Sequence, residues 1–291
     1  MRTFFECIPC FLRQALDAVR HVTQDEAVHE RVLRQVLRAA ADMDLRRSPP
    51  VMGQQVHRLI RDLTWAADPY RQAKERSNRL ALTILAELEG RVEGSADPFE
   101  TAVRLAIAGN VIDLGVKGGL DASDVHEAVR QALEAPLDGD LRPFRDAVAR
   151  AIHVLYLADN AGEIVFDRLL IERLPRERTT VAVRGAPVLN DATMDDAEAA
   201  GLTGLVEVVA NGSDAPGTVL EDCSDRFRQL FDAADLVIAK GQGNYETLSD
   251  VPKDVFFLLK AKCPVIAEDL GCRVGDLVLR RSLHAAAVGR Y

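Results

Sequence analysis

The sequence lacks a long apolar run. Although 48% of its 291 residues are hydrophobic, no stretch approaches the roughly 20 consecutive apolar residues that cross a bilayer. The N-terminal segment MRTFFECIPCFLRQAL has too short an apolar run, and no small-residue cleavage site, to resemble a signal peptide. We therefore expect a cytoplasmic protein without a membrane partner.

Positive charge is outnumbered and dispersed. The chain has 36 Lys and Arg against 45 Asp and Glu, a formal net charge of −9, and the basic residues form no stripe. Proteins that bind nucleic acid present clustered basic side chains to its phosphates, so a nucleic-acid partner is not expected. A small anionic substrate would require a locally positive site or a metal ion.

Cysteine is scarce as well. The chain has five cysteines, and an odd number in a large cytoplasmic chain argues against a disulfide scaffold. Only Cys7 and Cys10 form a CxxC pair, and no second CxxC or HxxxH completes a structural zinc site. Half of a zinc site, a redox pair and a packed helix start all fit this pair. The last is favoured, because free Cys is commonly buried as a small hydrophobe.

Several common catalytic signatures are missing. No serine has a GxSxG context, the six histidines form no metal-spaced pair, and no GK[ST] phosphate loop occurs. The DxD of haloacid-dehalogenase phosphatases is also absent, because Asn160 and Ala161 follow Asp159. Nucleophilic triads, Walker-type phosphate loops and that class of phosphatase are therefore not expected.

The chain does contain two distinct hydrophobic patterns. From Phe11 to about Glu134, apolar residues recur at intervals of three and four, which predicts amphipathic helices. After PLDGDLRPF, short runs rich in β-branched residues alternate with amphipathic stretches, which is typical of a mostly parallel sheet covered on both faces. We predict an α/β protein with a helical domain at 1–100 and a second domain at 101–291.

Polar residues end four of the predicted strands. These ends are Asp159-Asn160, Arg184-Gly185, Asn211-Gly212 and Lys240-Gly241. In parallel sheets, ligands bind outside the carboxyl ends of the strands, so we expect a site there.

The first two connections carry oxygen-rich side chains. Asp159 and Asn160 follow the first of these strands, and Asn190 and Asp191 follow the second. Because carboxylate and amide oxygens suit hard cations such as Mg²⁺ or Mn²⁺, both pairs could converge on one divalent ion. The alternative is a helix cap, and Gly162 permits the tight turn that either role needs.

The segment IAKGQGNYETL follows another strand. Backbone amides around Gln242 to Asn244 could cradle an anion beside Lys240, or the glycines could form a turn without a ligand.

Two further polar residues interrupt apolar segments. Lys260 ends the run VFFLLK, and a lysine is rarely buried without a charged partner, which here would be a metal-bound phosphate or an acid of the site. The alternative is a lysine that reaches solvent. Asn110 lies within LAIAGNVIDLGV, where a buried amide needs partners that a cleft against the sheet would supply.

The motifs occur in an order that resembles a known family. CxxC, GNVID, LADNAGEIVFD, RGAPVLNDATMDDA, AKGQGNYETL and LLKAKCPVIA follow one another from Cys7 to about Cys272. Together they resemble the damage-control phosphatases, or domain of unknown function 89, in the prokaryotic branch that carries CxxC.

The resemblance implies a helical N-terminal domain packed on a three-layer α/β/α sandwich, and a metal-dependent phosphatase. It implies that Asp159, Asn160 and Asp191 bind Mn²⁺, Mg²⁺, Co²⁺ or Ni²⁺. The family's substrate-binding loop corresponds to Lys240, Gly241, Gln242, Gly243, Asn244 and Tyr245, with Gln242 in place of an acid. Only the lysine of the Arg-Thr-x-Lys element of eukaryotic relatives is matched, by Lys260.

We therefore predict a divalent-metal phosphatase that hydrolyses phosphate monoesters of small, damaged or side-product metabolites such as sugar phosphates. Lys260, the Lys240–Asn244 loop and Asn110 would hold the phosphoryl oxygens, while water or Asp159 attacks phosphorus. The alternatives are an S-adenosylmethionine-dependent carboxyl methyltransferase, as proposed for a eukaryotic relative, and a non-catalytic metal- or metabolite-binding protein. The sequence does not indicate an oligomeric state.

Overall fold

The amino-terminal part of the chain is helical, as its periodicity predicts. In the computed structural model, which describes residues 1–110 and 122–282, five helices occupy the first of these ranges. They are α1 (Cys7–Val22), α2 (Glu26–Ala41), α3 (Pro49–Thr64), α4 (Arg71–Glu93) and α5 (Pro98–Ala108). Asp25 and Asp97 each accept a hydrogen bond from a first-turn backbone N–H, so they cap α2 and α5.

The second range contains a seven-stranded, mostly parallel sheet. Its strands are β1 (Leu137–Asp138), β2 (Val154–Leu157), β3 (Thr179–Val183), β4 (Glu207–Ala210), β5 (Leu236–Lys240), β6 (Val255–Lys260) and β7 (Leu277–Arg281). Their order is β1-β7-β6-β5-β2-β3-β4, and β7 runs antiparallel to β6. Strands β2 to β6 are parallel, so their carboxyl ends share one edge, here called the carboxyl edge.

Helices cover both faces of the sheet, which confirms the three-layer α/β/α architecture. One face packs on α4, α5, α6 (Ala122–Glu134), α7 (Leu141–Arg150), α8 (Glu163–Ile171) and α9 (Met194–Ala199). The other packs on α10 (Asp225–Ala233), α11 (Gly241–Leu248) and α12 (Pro264–Leu270). Tyr156 and Ile238 face the first layer, whereas Leu157 and Val237 face the second, because successive strand residues point to opposite sides. None of the helices in the described ranges has the length and apolarity of a membrane span.

The first three helices have an apolar core of their own. It includes Phe11, Val19, Val56 and Ile60, and Cys7 packs against it at the start of α1. Helices α4 and α5 instead contribute to the core beneath the sheet. The domain boundary predicted at residue 100 stays a prediction.

A polar network centred on Asp214 joins α3 to the sheet. Asp214 lies in the segment of residues 211–223 after β4, here called the bridging loop. It accepts hydrogen bonds from Gln54 Nε2 at 2.7 Å and Arg58 Nε at 3.0 Å, and it also pairs with Arg61. These contacts hold the bridging loop against the helical layer.

Replacing Asp214 with Ala is expected to lower the free energy of unfolding by about 2–3 kcal/mol, because two guanidinium groups and an amide lose a charged partner. Denaturant unfolding followed by circular dichroism measures this loss. Asp44→Ala is the control, since Asp44 pairs with Arg46 where both side chains are exposed and such pairs add little stability. Equal midpoints for the two variants would contradict the role of the network.

Candidate active site

The carboxyl edge brings together the ends of four neighbouring strands. β5, β2, β3 and β4 are adjacent and parallel, so the residues that follow them lie side by side. These are the four polar strand ends that the sequence pointed to. Their convergence follows from the topology of a parallel sheet.

The three predicted metal ligands meet at this edge. The backbone N–H of Ala192 donates to the carbonyl oxygen of Asp159 at 2.8 Å, and Asn160 and Asp191 form an antiparallel bridge. The connections after β2 and β3 are therefore held against each other. Asp159, Asn160 and Asp191 are all buried.

Negative charge is in excess around Asp159. Burial raises the pKa of Asp159 well above its usual range, and the nearby charges of Glu163 and Asp191 raise it further. Lys262 and Arg184 act in the opposite direction without cancelling the effect. A bound cation would stabilise these crowded carboxylates, so the local charge fits a metal ion.

The donor set fits a hard cation better than a structural zinc. The described ranges contain no group of three or more His, Cys, Asp or Glu placed to hold a metal ion. The predicted set instead has two carboxylates and one amide, from Asp159, Asp191 and Asn160. Mg²⁺ and similar ions accept such a set, because water and substrate oxygens complete their coordination.

Arg184, which the sequence marked only as a strand end, presents a free donor at the centre of this group. Its Nε donates to Asp191 Oδ2 at 2.6 Å, and Nη1 donates to Asn244 Oδ1 at 3.3 Å. Its Nη2 lies 3.7 Å from Asp159 Oδ1 and is buried without a hydrogen-bond partner. A fixed guanidinium with one unused N–H group beside the predicted metal ligands suits a phosphoryl oxygen.

The turn after β2 is stabilised by a side chain from the helical layer. Gly162 has a φ of +77°, which glycine adopts without strain, and α8 begins at the next residue. The N–H of Gly162 donates to Asn78 Oδ1 of α4 at 2.6 Å. Asn78 therefore occupies the N–H of Gly162 at this turn.

The segment predicted as a phosphate-binding loop is the first turn of a helix. α11 starts at Gly241, whose φ of +79° brings its backbone against the carboxylate of Asp159. Asn244 is fully buried and accepts hydrogen bonds from Arg184 and, at 2.8 Å, from Thr218 of the bridging loop. Asn244 thus holds other site residues in place.

Two residues of the same segment, Tyr245 and Gln242, have partners in and around α11 and α12. Tyr245 donates to Asp269 Oδ2 at 2.6 Å and packs edge-on against Phe257. Gln242 donates to Glu246 Oε1 at 2.8 Å and accepts from the backbone of Lys262 at 3.3 Å. Tyr245 therefore has a packing role, and Gln242 positions the start of the segment that contains Lys262.

Lys240 points into the core rather than toward a substrate, which corrects its predicted phosphate contact. Its Nζ is fully buried and donates to Ala106 O at 2.7 Å, and to Glu163 Oε1 and Asp167 Oδ1 at 2.6 Å each. These acceptors use all three N–H groups of the ammonium. Although burial alone would lower the pKa of Lys240, Asp167 and Glu163 raise it above its usual value, so the side chain stays charged.

Asn110 also contacts Glu163. Its Nδ2 donates to Glu163 Oε2 at 3.1 Å, and the side chain is buried, as its setting in an apolar helix predicts. The remaining residues of the GNVID motif, 111–113, lie outside the described ranges.

Lys260 and Lys262 differ in their relation to the site. Lys260 is half-buried at the end of β6, on the sheet side that Phe256 and Leu258 share. Lys262 is the lysine of this segment whose charge lowers the pKa of Asp159. Lys262 is therefore a second positive charge in this segment, beside the Lys260 predicted from the sequence.

A separate cleft of about 520 Å³ lies where α4 ends and α5 begins. Its charged side chains are all ion-paired, namely those of Arg91, Asp97, Glu100 and Arg104. It contains none of the residues described at the carboxyl edge, and its paired charges distinguish it from that edge.

Comparison with known proteins gives a family. The model of the family described as "Damage-control phosphatase ARMT1-like domain" matches residues 3–278. A damage-control phosphatase of Archaeoglobus fulgidus is 36% identical, with 94% of this chain and 97% of the relative covered. One of Pyrococcus horikoshii is 34% identical, with 97% and 99% covered. The crystal structure of a DUF89 family protein from P. horikoshii superposes with a TM-score of 0.89, at 34% identity over 97% of this chain and 99% of that one. The chain therefore belongs to the ARMT1-like damage-control phosphatase family.

Proposed function

We propose that this protein is a divalent-metal-dependent phosphatase that hydrolyses phosphate monoesters of small metabolites, sugar phosphates among them. The observation that carries the proposal is the meeting of Asp159, Asn160 and Asp191 beside the unused Nη2 group of Arg184. The names of the relatives support the phosphatase activity. Metal dependence is our inference from the site, and the substrate class is the one that the resemblance to the family implies.

Asp159, Asn160 and Asp191 would hold the ion, and their oxygen atoms suit Mn²⁺, Mg²⁺, Co²⁺ or Ni²⁺. A divalent ion at this position supplies Lewis-acid polarisation of a phosphate ester and lowers the pKa of water. Asp159 and Asp191, as buried carboxylates, provide the negative charge that binds such an ion.

Arg184 would orient the phosphoryl group. Asp191 and Asn244 fix two edges of its guanidinium, so its Nη2 donates from a preset direction. The backbone amides at the start of α11 and the charge of Lys262 would add to the stabilisation of phosphoryl oxygens. Little reorganisation would be needed as charge develops on the phosphate.

The position of Arg184 also favours a phosphatase over a methyltransferase. Parallel sheets that bind nucleosides carry an acid at the end of the strand that follows the first crossover helix, where it accepts hydrogen bonds from the ribose. The corresponding strand here is β3, which follows β2 and α8, and it is followed by the buried cation Arg184, paired with Asp191. Such a group suits phosphate oxygens and cannot accept from ribose hydroxyls.

Release of inorganic phosphate from p-nitrophenyl phosphate and a panel of sugar phosphates tests the proposal. We expect activity that EDTA abolishes and that Mn²⁺, Mg²⁺, Co²⁺ or Ni²⁺ restores. Asp191→Asn should lose this activity, whereas Asp195→Asn, which alters an exposed acid at the start of α9, should retain it. Phosphate release that survives EDTA, or that Asp191→Asn retains in full, would overturn the proposal.

A further inference from the structure

A chain of hydrogen bonds leads from the core of the protein to a predicted metal ligand. It begins at the buried ammonium of Lys240, which binds one oxygen of Glu163 on the sheet side of α8. The other oxygen, Glu163 Oε2, accepts from Asn160 Nδ2 and from Asn110 Nδ2, each at 3.1 Å. Glu163 is itself 1% exposed, so water does not compete for these contacts.

These hydrogen bonds determine which way the Asn160 amide faces. Its Nδ2 also donates to Asp159 Oδ2 at 2.8 Å, so both partners of the NH₂ group are carboxylate oxygens. An ionised carboxylate only accepts hydrogen bonds, so the amide oxygen cannot occupy that position. The carbonyl oxygen of Asn160 is consequently directed away from Glu163.

We infer that Lys240 and Glu163 are positioning residues, which fix the Asn160 amide so that its oxygen is presented to the divalent ion. This inference rests on the proposed function, because it assumes that the ion binds at Asp159, Asn160 and Asp191. Lys240 sets the Glu163 carboxylate, and Glu163 holds the NH₂ group of Asn160. Partners of this kind, which touch a ligand and not the metal, commonly change metal affinity by about 10–100-fold.

Asp167 allows a matched comparison. It is as buried as Glu163 and accepts from the same Lys240 Nζ at the same distance of 2.6 Å. It also accepts a hydrogen bond at 2.8 Å from the hydroxyl of Tyr156, which lies within β2 and not at the carboxyl edge. If the ion pairs of Lys240 with Glu163 and Asp167 only stabilised the fold, replacing either acid would have the same effect on Mn²⁺ binding.

The experiment compares Glu163→Gln with Asp167→Asn in the full chain. Mn²⁺ binding is measured by isothermal titration calorimetry on metal-free protein, and thermal unfolding is measured in parallel. The amide introduced by Glu163→Gln offers an NH₂ group to Lys240 or to Asn160, neither of which can accept it there. We expect Glu163→Gln to weaken Mn²⁺ binding by about 10–100-fold, and Asp167→Asn to change it by less than about 3-fold.

A second variant covers the case in which Glu163→Gln does not fold. Glu163→Asp keeps the charge beside Lys240 but withdraws the carboxylate from Asn160 by one methylene group, and it should also weaken Mn²⁺ binding. If the folded Glu163 variant binds Mn²⁺ as tightly as wild type, or no more weakly than Asp167→Asn, the inference is wrong while the proposed function stands. If wild-type protein neither binds Mn²⁺ nor releases phosphate, the proposed function fails, and the inference fails with it.

Discussion

Replacing Asp159 with Asn is expected to remove activity and, in the absence of metal, to make the protein more stable. Phosphate release should fall by at least about 10²–10³-fold, the loss typical when a preorganised charged group leaves an active site. The gain in stability has a separate cause, because the substitution removes a buried charge repelled by Glu163 and Asp191. Steady-state assays and thermal unfolding in EDTA measure the two effects.

The difference in stability between Asp159→Asn and wild type should increase with pH. Since burial and neighbouring carboxylates raise the folded-state pKa of Asp159, its contribution to stability is fully present below the unfolded value, near 3.8. That contribution is lost as pH rises through the folded-state pKa. The excess Tm of Asp159→Asn over wild type should therefore be larger at pH 8 than at pH 5.

Asp235→Asn provides the control of opposite sign. Burial raises the pKa of Asp235, but hydrogen bonds from the backbone N–H groups of Ile152 and His153 outweigh it and lower the pKa. Neutralising Asp235, at the amino end of β5, should reduce Tm and leave phosphate release unchanged. An Asp159→Asn variant that is less stable than wild type without metal would contradict the charge assignment.

The second large effect is expected for Gly241→Ala. A Cβ at this position would lie 1.9 Å from Asp159 Oδ2, so the carboxylate must move. The φ of +79° adds a backbone strain of about 1–3 kcal/mol for a non-glycine residue. Displacing a reacting group by about 1 Å can reduce activity by about 10²-fold, and we expect a loss of at least that size.

Gly271→Ala separates strain from displacement. Gly271 has a φ of +71° at the end of α12, and a Cβ there would meet nothing within 4 Å. Both variants should lose stability in denaturant unfolding from the backbone strain, and Gly241→Ala should lose more because of its clash with Asp159, but only Gly241→Ala should lose phosphatase activity. Full activity in Gly241→Ala would show that the contact between Gly241 and Asp159 is not required.

The sequence was sufficient to place Asp159, Asn160 and Asp191 near one another. Parallel strands with apolar runs have a shared carboxyl edge, so residues that follow neighbouring strands must meet there. The helical amino-terminal part was predictable for a similar reason, because a periodicity of three to four is a local property. Both predictions needed only local patterns and one topological rule.

The direction of Lys240 could not be predicted in the same way. The glycines after it suggested a loop with the lysine beside it, whereas α11 begins at Gly241 and lies on the opposite side of the sheet from the Lys240 side chain. Its partners Glu163 and Asp167 belong to α8, and a single sequence does not show which helix covers which strand. A charged residue as the last position of an apolar strand was the available signal, and it indicated a buried partner.

Asn78 and Arg184 escaped prediction for a related reason. Asn78 lies on α4, distant in sequence from the Gly162 amide that it binds, and nothing in the local pattern of that helix marks it. Arg184 was recognised only as a strand end. Its unused Nη2 becomes visible once Asp191 and Asn244 are seen to occupy its other nitrogens.

The bridging loop has a consequence for how such an enzyme can change over evolution. Asp214 fastens this loop to α3, and Thr218 of the same loop fixes Asn244, which in turn fixes Arg184. The guanidinium proposed to grip phosphate is thus aligned through a relay that starts in the amino-terminal helices. A related protein that contained the sheet without those helices would keep every proposed metal ligand. It would lose the contacts that align Arg184 for phosphate.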